Sequence, residues 1–301
     1  MDPLRIGVAG LDTSHVTAFA TLLHDSANAH YVPGARIAAA FPGGSPDFEL
    51  SIGRVDQFTG VLKDQHGVEL VSSISALEGK CDAVMLLSID GRVHADQFRE
   101  VAEWGLPVFI DKPLAVSAED AREIADIAEA KNVRVTSSSA MRFAEKFREA
   151  LELDAEDPII GFDVYGPMGF VDKSPGYFWY GVHSVDMLFA CLGTGCQSVM
   201  AVREGLHDIL VGRWSDGRIG MVRGNRAGNG IFGGTIHRKT RSAAFDVSSG
   251  GTPVYASLLK KVIPFLSGTG EVVPLPEMVE VIKFLEAANQ SVAVGKWMDL
   301  G

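Results

Sequence analysis

Cysteine is scarce in this chain, which has three: Cys81, Cys191 and Cys196. An odd number at such spacings makes no disulfide framework, so all three are expected as buried or half-buried thiols. Basic clusters are missing as well. Lys and Arg total 27 against 38 Asp and Glu, a net charge of -11, and they are scattered along the sequence. With no basic field to attract phosphate backbones or anionic lipid, nucleic acid is not expected as a partner. Long apolar runs are also absent, because Asp, Arg or Gly interrupts even the densest stretches well short of the roughly 20 residues a membrane helix needs. MDPLRIGVAG enters a strand-like run with no basic leader or cleavage site ahead of it. The expectation is a soluble, cytoplasmic protein with no membrane partner.

What is present fits two domains, since 301 residues at 47% hydrophobic and 22% charged can bury two cores of ordinary size. Residues 4 to 10 (LRIGVAG) form a strand leading through LDTSH into a helical pattern. Strand candidates follow at 35–41, 68–73, 81–88, 107–110 and 133–137. Between them stand a short helix at 74–78 and helices at 94–104 and 118–131. CDAVMLLS is continuously apolar, as expected of a parallel strand covered on both faces. The alternation predicts βαβ units and a Rossmann-like, doubly wound parallel sheet over residues 1–143.

Beyond about residue 144 the rhythm changes to strand-like segments at 159–165, 198–203, 208–214 and 218–224. Asp216-Gly217 in SDGR is a strong hairpin signal between the last two. With helices at 182–192, 255–265 and 276–293, residues 144–301 read as an α+β domain with an open, mostly antiparallel sheet.

Four motifs carry possible chemistry. Gly7 to His15 sits at the strand-to-helix turn where a dinucleotide fold carries G-x-G-x-x-G, yet it matches only at Gly10. Asp12 and His15 stand where the second and third glycines belong, and Asp12 or Thr13 could equally serve as the N-cap of the first helix. A carboxylate there opposes a pyrophosphate, while backbone amides, Thr13, Ser14 and a protonated His15 would favour one. The second strand ends Phe41-Pro42-Gly43-Gly44-Ser45, without the acid that usually binds ribose. Asp47 from the loop, or Ser45 with Arg54 for a 2′-phosphate, are alternatives, beside an ordinary surface turn. Asp111-Lys112-Pro113-Leu114 follows a parallel strand, at the edge where such sheets bind ligands, and Pro113 keeps the lysine backbone out of the α region. In GVHSVDML, His183 and Asp186 share a helix face, where the acid could orient the imidazole.

Together with the strand CDAVMLLS followed by His94, the D-K-P-L-A run, S-S-A-M-R-F at 138–143 and the tail MVEVIKFLEAANQSVAVGKWMDL, these motifs resemble the glucose-fructose oxidoreductase, inositol dehydrogenase and rhizopine-catabolism (Gfo/Idh/MocA) family along essentially the whole chain. The resemblance implies NAD or NADP as cofactor and hydride transfer from a hydroxyl carbon of a sugar- or cyclitol-like polyol. It implies cofactor contacts from Gly10, Leu11, Asp12, Thr13, Ser14, His15, Ser88, His94, Asp111 and Lys112. Lys112 would orient the hydroxyl, His183 would act as general base, and Asp186 would hold the second domain's site together. It also implies a homodimer or homotetramer formed through the second domain's sheet. Three departures stand out: the degraded glycine turn, the missing acid after the second strand, and Trp179 where the family often has an aspartate four residues before the histidine. A non-redox relative that keeps the fold and binds a ligand or partner is the competing expectation. A third reading takes Asp12, His15 and His183 as metal ligands, with nothing in their spacing to favour it.

Overall fold

In the computed structural model, which describes residues 2–301, the chain divides into two units, each with its own sheet. The first comprises the residues up to Ala115, Glu119–Ser137 and Tyr255–Leu275. Its elements begin with β1 (Leu4–Ala9), α1 (Ser14–His24), β2 (Ala35–Phe41), a short α2 (Glu49–Ile52), α3 (Val55–His66) and β3 (Glu69–Leu70). They continue with β4 (Ala83–Leu86), α4 (His94–Val101), β5 (Val108–Ile110), α5 (Ala118–Lys131) and β6 (Val135–Ser137). The six strands pair in parallel in the order β3-β2-β1-β4-β5-β6. Strand order reverses between β1 and β4, which makes their carboxyl ends the topological switch point where open α/β sheets hold ligands. All of β4 is buried, as its unbroken apolar run requires, and α1 buries Val16, Phe19, Ala20 and Leu23 at helical spacing against the sheet.

The second unit comprises Val116–Ala118, Ser138–Val254 and Pro276–Gly301. In chain order it carries α6 (Glu145–Glu152), β7 (Ile159–Pro167), α7 (Gly181–Leu192), β8 (Cys196–Glu204), β9 (His207–Trp214), β10 (Ile219–Asn225), β11 (Gly233–Arg238) and β12 (Ser242–Asp246). After α8 (Val254–Leu266), which lies almost wholly in the first unit, come α9 (Leu275–Val294) and β13 (Met298–Asp299). The seven strands run β12-β11-β7-β10-β9-β8-β13. Every neighbouring pair is antiparallel except β7 with β10, which run parallel because α7, β8 and β9 intervene between them. The hairpin at Asp216-Gly217 forms as its sequence requires, with Gly217 at φ +90°. Alternation along the strands places Phe162, Val164, Leu210 and Val222 in the core, on the side where α7 packs against β7 and β10. By register Tyr165, Val202 and Ile219 share the opposite face, and all three are exposed.

Several local expectations are corrected. The strand at 68–73 shrinks to the two residues of β3, and the helix at 74–78 is a 3₁₀ turn at Ser75–Leu77. The helix at 94–104 is α4 followed by a 3₁₀ turn, ended by Gly105 at φ +66°. α2, α3, α6, β11, β12 and β13 are further elements that the sequence analysis did not include.

Candidate functional site

The turn after β1 is fixed by its backbone. Gly10 adopts φ +94°, and a Cβ there would lie 2.4 Å from Ser88 N, so only glycine permits the turn to close on the end of β4. Gly10 N donates to Phe41 O at 3.0 Å and Leu11 N to Pro42 O at 2.7 Å, tying the turn to the tip of β2. The N-cap of α1 is Thr13, whose Oγ1 accepts from His15 N at 3.3 Å. Asp12 is therefore not the cap. Its fully buried carboxylate turns inward, where Oδ2 accepts from Ser51 Oγ at 2.5 Å and Oδ1 from Ile89 N at 3.0 Å. Burial pushes its pKa up, against these bonds, which favour the charged form. Leu11 and Thr13 are also buried, while Ser14 is exposed at the helix start.

His15 and Asp111 come together, with Nδ1 and Oδ2 2.6 Å apart. The imidazole stands against Phe19 and Tyr255, its centroid 5.9 and 4.8 Å from theirs. Burial alone would raise the Asp111 pKa, but the charges of His15 and Lys112 and the bond to His15 outweigh it and hold the carboxyl below its ordinary range. Lys112 is half-buried and joined to Pro113 by a cis peptide bond, and burial lowers its pKa against the opposing charge of Asp111.

His94 is the first residue of α4. It is fully buried, with Nδ1 2.9 Å from Pro113 O and Nε2 2.9 Å from Ser88 O, so the ring ties the turn after β5 to the end of β4 and presents no free edge. The Ser88 hydroxyl is buried too and exchanges hydrogen bonds with the Gln97 side chain. At the tip of β2, Asp47 accepts from Arg92 at 2.8 and 2.9 Å, and buried Asp90 grips the same guanidinium. Ser45 is buried, its amide donating to Ser51 Oγ at 2.8 Å. Arg92 escaped the sequence reading, although D-G-R directly after a β4-type strand was its signal.

In the second unit, His183 is the third residue of α7, and its Nδ1 is 2.7 Å from Ser139 Oγ. The Asp186 carboxylate goes to the Ser139 amide at 2.8 Å and to Arg142 at 3.0 and 3.1 Å. Arg142 also grips Glu277. Burial disfavours the Arg142 charge, yet the two carboxylates raise its pKa above the usual arginine value; for Glu277, burial outweighs Arg142 and raises the pKa. Ser139 thus bridges His183 and Asp186, a role that a serine within S-S-S-A did not announce. The loop before α7 is anchored by Tyr177, whose hydroxyl donates to buried Asp208 at 2.9 Å and is pushed up to about 12 by burial and that carboxylate.

Residues 6–139 match the sequence model of GFO_IDH_MocA, described as an oxidoreductase family with an NAD-binding Rossmann fold. Over these residues, fewer than half of the chain, the sequence is similar to the Gfo/Idh/MocA oxidoreductase family. The rhizopine catabolism protein MocA of Rhizobium meliloti is 27% identical over 127 residues, a match covering 36% of this chain and 38% of that protein. The chain thus matches little more than a third of this curated relative's length. Among solved structures, myo-inositol 2-dehydrogenase from Lactobacillus plantarum superposes with a TM-score of 0.79 at 16% identity over 100% of both chains. GenD2 from gentamicin A biosynthesis, solved in complex with NAD, gives 0.79 at 18% identity over 100% of this chain and 97% of that one. At these identities the likeness is one of fold.

A nicotinamide cofactor fits the residues at the switch point. Asp12 points into the protein and Asp111 is matched by His15, so neither carboxylate opposes an anion at the exposed start of α1 beside Ser14. The metal reading of Asp12, His15 and His183 finds no support: among the described residues no group of three His, Cys, Asp or Glu could hold an ion. No helix among them is long and apolar enough to cross a membrane.

Proposed function

We propose that the chain is a cytoplasmic, NAD- or NADP-dependent oxidoreductase that moves a hydride between the nicotinamide and a hydroxyl-bearing carbon of a sugar- or cyclitol-like polyol. The observation that carries this reading is the inward turn of Asp12, which leaves the N-terminus of α1 open to a pyrophosphate at the β1/β4 switch point despite the altered glycine turn. The relatives named as inositol dehydrogenase and rhizopine catabolism protein favour a polyol. Residues 1–143 are assigned to the dinucleotide and 144–301 to substrate and to self-association as a dimer or tetramer. The exposed Tyr165, Val202 and Ile219 on one sheet face support the latter.

The cofactor, when bound, would supply the hydride acceptor. Gly10, Leu11, Thr13, Ser14 and His15 are assigned to its pyrophosphate side, with Asp12, Ser88, His94 and Asp111 shaping the turn from beneath. Lys112 is assigned to orient the reacting hydroxyl and His183 to act as general base, a task suited to an imidazole. Asp186 holds the loop that carries Ser139.

The test is calorimetric titration with NADH and NADPH, followed by turnover assays on a panel of inositols and sugars. Micromolar binding and oxidation of a polyol are expected. No binding of either cofactor at millimolar concentration would sink the redox reading in favour of a ligand-binding relative.

A further inference from the structure

Two departures from an ordinary dinucleotide site, the acid inside the glycine turn and the missing acid at the tip of β2, are joined by one chain of hydrogen bonds. Asp12 Oδ2 accepts from Ser51 Oγ at 2.5 Å, and the same Ser51 Oγ accepts from Ser45 N at 2.8 Å. The Ser45 hydroxyl bonds in turn to Asp90 and favours its charged form. Asp12, Ser45, Ser51 and Asp90 are all buried within the first unit, and no buried side-chain oxygen among them lacks a partner.

This path ends on a loop that places a carboxylate beyond β2. Ser45-Pro46-Asp47-Phe48 is a turn closed by Phe48 N, which donates to Ser45 O at 3.0 Å. Pro46 occupies the position that favours proline, and Phe48 is buried as the anchor. Asp47 stands at the tip with 58% of its side chain exposed. Arg92 holds it there: Nη1 and Nη2 donate to its two oxygens at 2.9 and 2.8 Å, while Nε and Nη2 donate to Asp90 at 2.7 to 3.1 Å. Two carboxylates thus share one guanidinium, which leaves the cluster with negative charge in excess and all three nitrogens of Arg92 engaged. A carboxylate has about four acceptor sites, so the two bonds from Arg92 do not exhaust Asp47.

We propose that Asp47 replaces the missing β2-tip acid as acceptor for the ribose hydroxyls, positioned by Arg92 and by the Asp12–Ser51–Ser45–Asp90 path, so that the chain selects NAD over NADP. The proposal rests on the oxidoreductase reading above. In dinucleotide folds an acid near this place accepts from the ribose 2′-hydroxyl, whereas NADP calls for a cation that can meet the 2′-phosphate. Here the hydroxyl finds an acceptor. A 2′-phosphate instead meets excess negative charge beside an arginine already held by two carboxylates. The other candidate pair for a phosphate, Ser45 with Arg54, loses Ser45 to the buried path. Asp12, out of place in a glycine turn, becomes the inner anchor of the loop that supplies the acid.

The experiment is calorimetric titration of the full chain with NADH and NADPH, which reads the ratio of the two affinities and needs no substrate. The native protein is expected to bind NADH about tenfold tighter or more, the worth of one charge-assisted hydrogen bond. Ser51→Ala cuts the path and should lower that ratio about threefold, while Asp47→Ala should abolish it. In the Asp47→Ala background, Ser51→Ala should leave the ratio unchanged, because a positioning residue acts through Asp47; a merely structural loss would weaken both cofactors alike and spare the ratio throughout. Equal native affinities overturn the proposal, and tighter NADPH does so in favour of Arg54 as the phosphate's partner. An unchanged ratio in Ser51→Ala overturns the positioning role, and the native ratio decides the selectivity even where a variant does not fold. Binding of neither cofactor at millimolar concentration removes the oxidoreductase reading and this proposal with it, whereas a wrong ratio leaves that reading standing.

Discussion

His15 Nδ1 lies 2.6 Å from Asp111 Oδ2, which joins the first turn of α1 to the residue that follows β5. Two positions 96 residues apart thus meet at the edge of the parallel sheet. Asp111 is held below its ordinary pKa, so its contribution to stability is full above the unfolded value of about 3.9 and is lost as pH falls through that value toward the folded one. Asp111→Asn should cost about 1–3 kcal/mol at pH 7 and remove that acid-side loss. Urea unfolding of both proteins at pH 7 and at about pH 3 checks it.

Asp12 calls for a paired substitution. Its carboxylate links Ser51 and Ile89 from inside the protein, while burial raises its pKa. A raised folded pKa means that its stabilisation is present at low pH and declines as pH rises through that value. Asp12→Asn keeps an acceptor for Ile89 but sets an amide N–H against Ser51, whose hydroxyl must turn from donor to acceptor, so it should cost about 1 kcal/mol at pH 7. Asp12→Gly removes both links and should lose about 2–3 kcal/mol. Thermal melts of the two variants separate an inward link from a residue that merely repels a cofactor.

His24 makes the fold sensitive to mild acid. Its Nε2 accepts from Ile37 N at 2.9 Å, which requires the neutral ring, and burial, with nearby His66, lowers its pKa. Stability is therefore full above the unfolded value of about 6.5 and falls as pH drops below it, because the unfolded chain binds the proton first. Melting temperature should decline between pH 7 and pH 5, and His24→Leu, less stable at pH 7, should decline less.

Arg92 is held at the tip of β2 by Asp47 and Asp90. Replacing Asp47 with Ala frees one side of the guanidinium for a phosphate. The expected outcome is a gain in NADPH affinity relative to NADH of about tenfold, consistent with one charge-assisted hydrogen bond. Equal ratios in native and variant titrations would remove Arg92 from the choice between cofactors.

The parallel sheet was legible because burial on both faces writes itself into continuous runs such as Ala83–Leu86, and the second domain's hairpin because Asp216-Gly217 dictates its own turn. The parallel pairing of β7 with β10 was not, since strand neighbours are set by long-range packing and leave no local trace. At the site, Lys112, His183 and Asp186 were visible as chemistry. Their partners were not: Ser139 reaches His183 across 44 positions, and the Asp12 carboxylate turns inward because Ser51 and Ile89 wait for it 39 and 77 residues away.

The return of Tyr255–Leu275 to the first unit sets a condition on synthesis. Phe19 of α1 meets Tyr255 at 5.7 Å between ring centroids, Arg134 lies 4.5 Å over the Phe265 ring, and Thr136 Oγ1 bonds to Val273. On the ribosome, the nascent chain has made all six strands of the first sheet by Ser137, but these contacts must wait until Leu275 has emerged. During that interval the growing chain exposes apolar surface on α1, and a protein shortened before Tyr255 would carry it permanently, a target for chaperones and for aggregation.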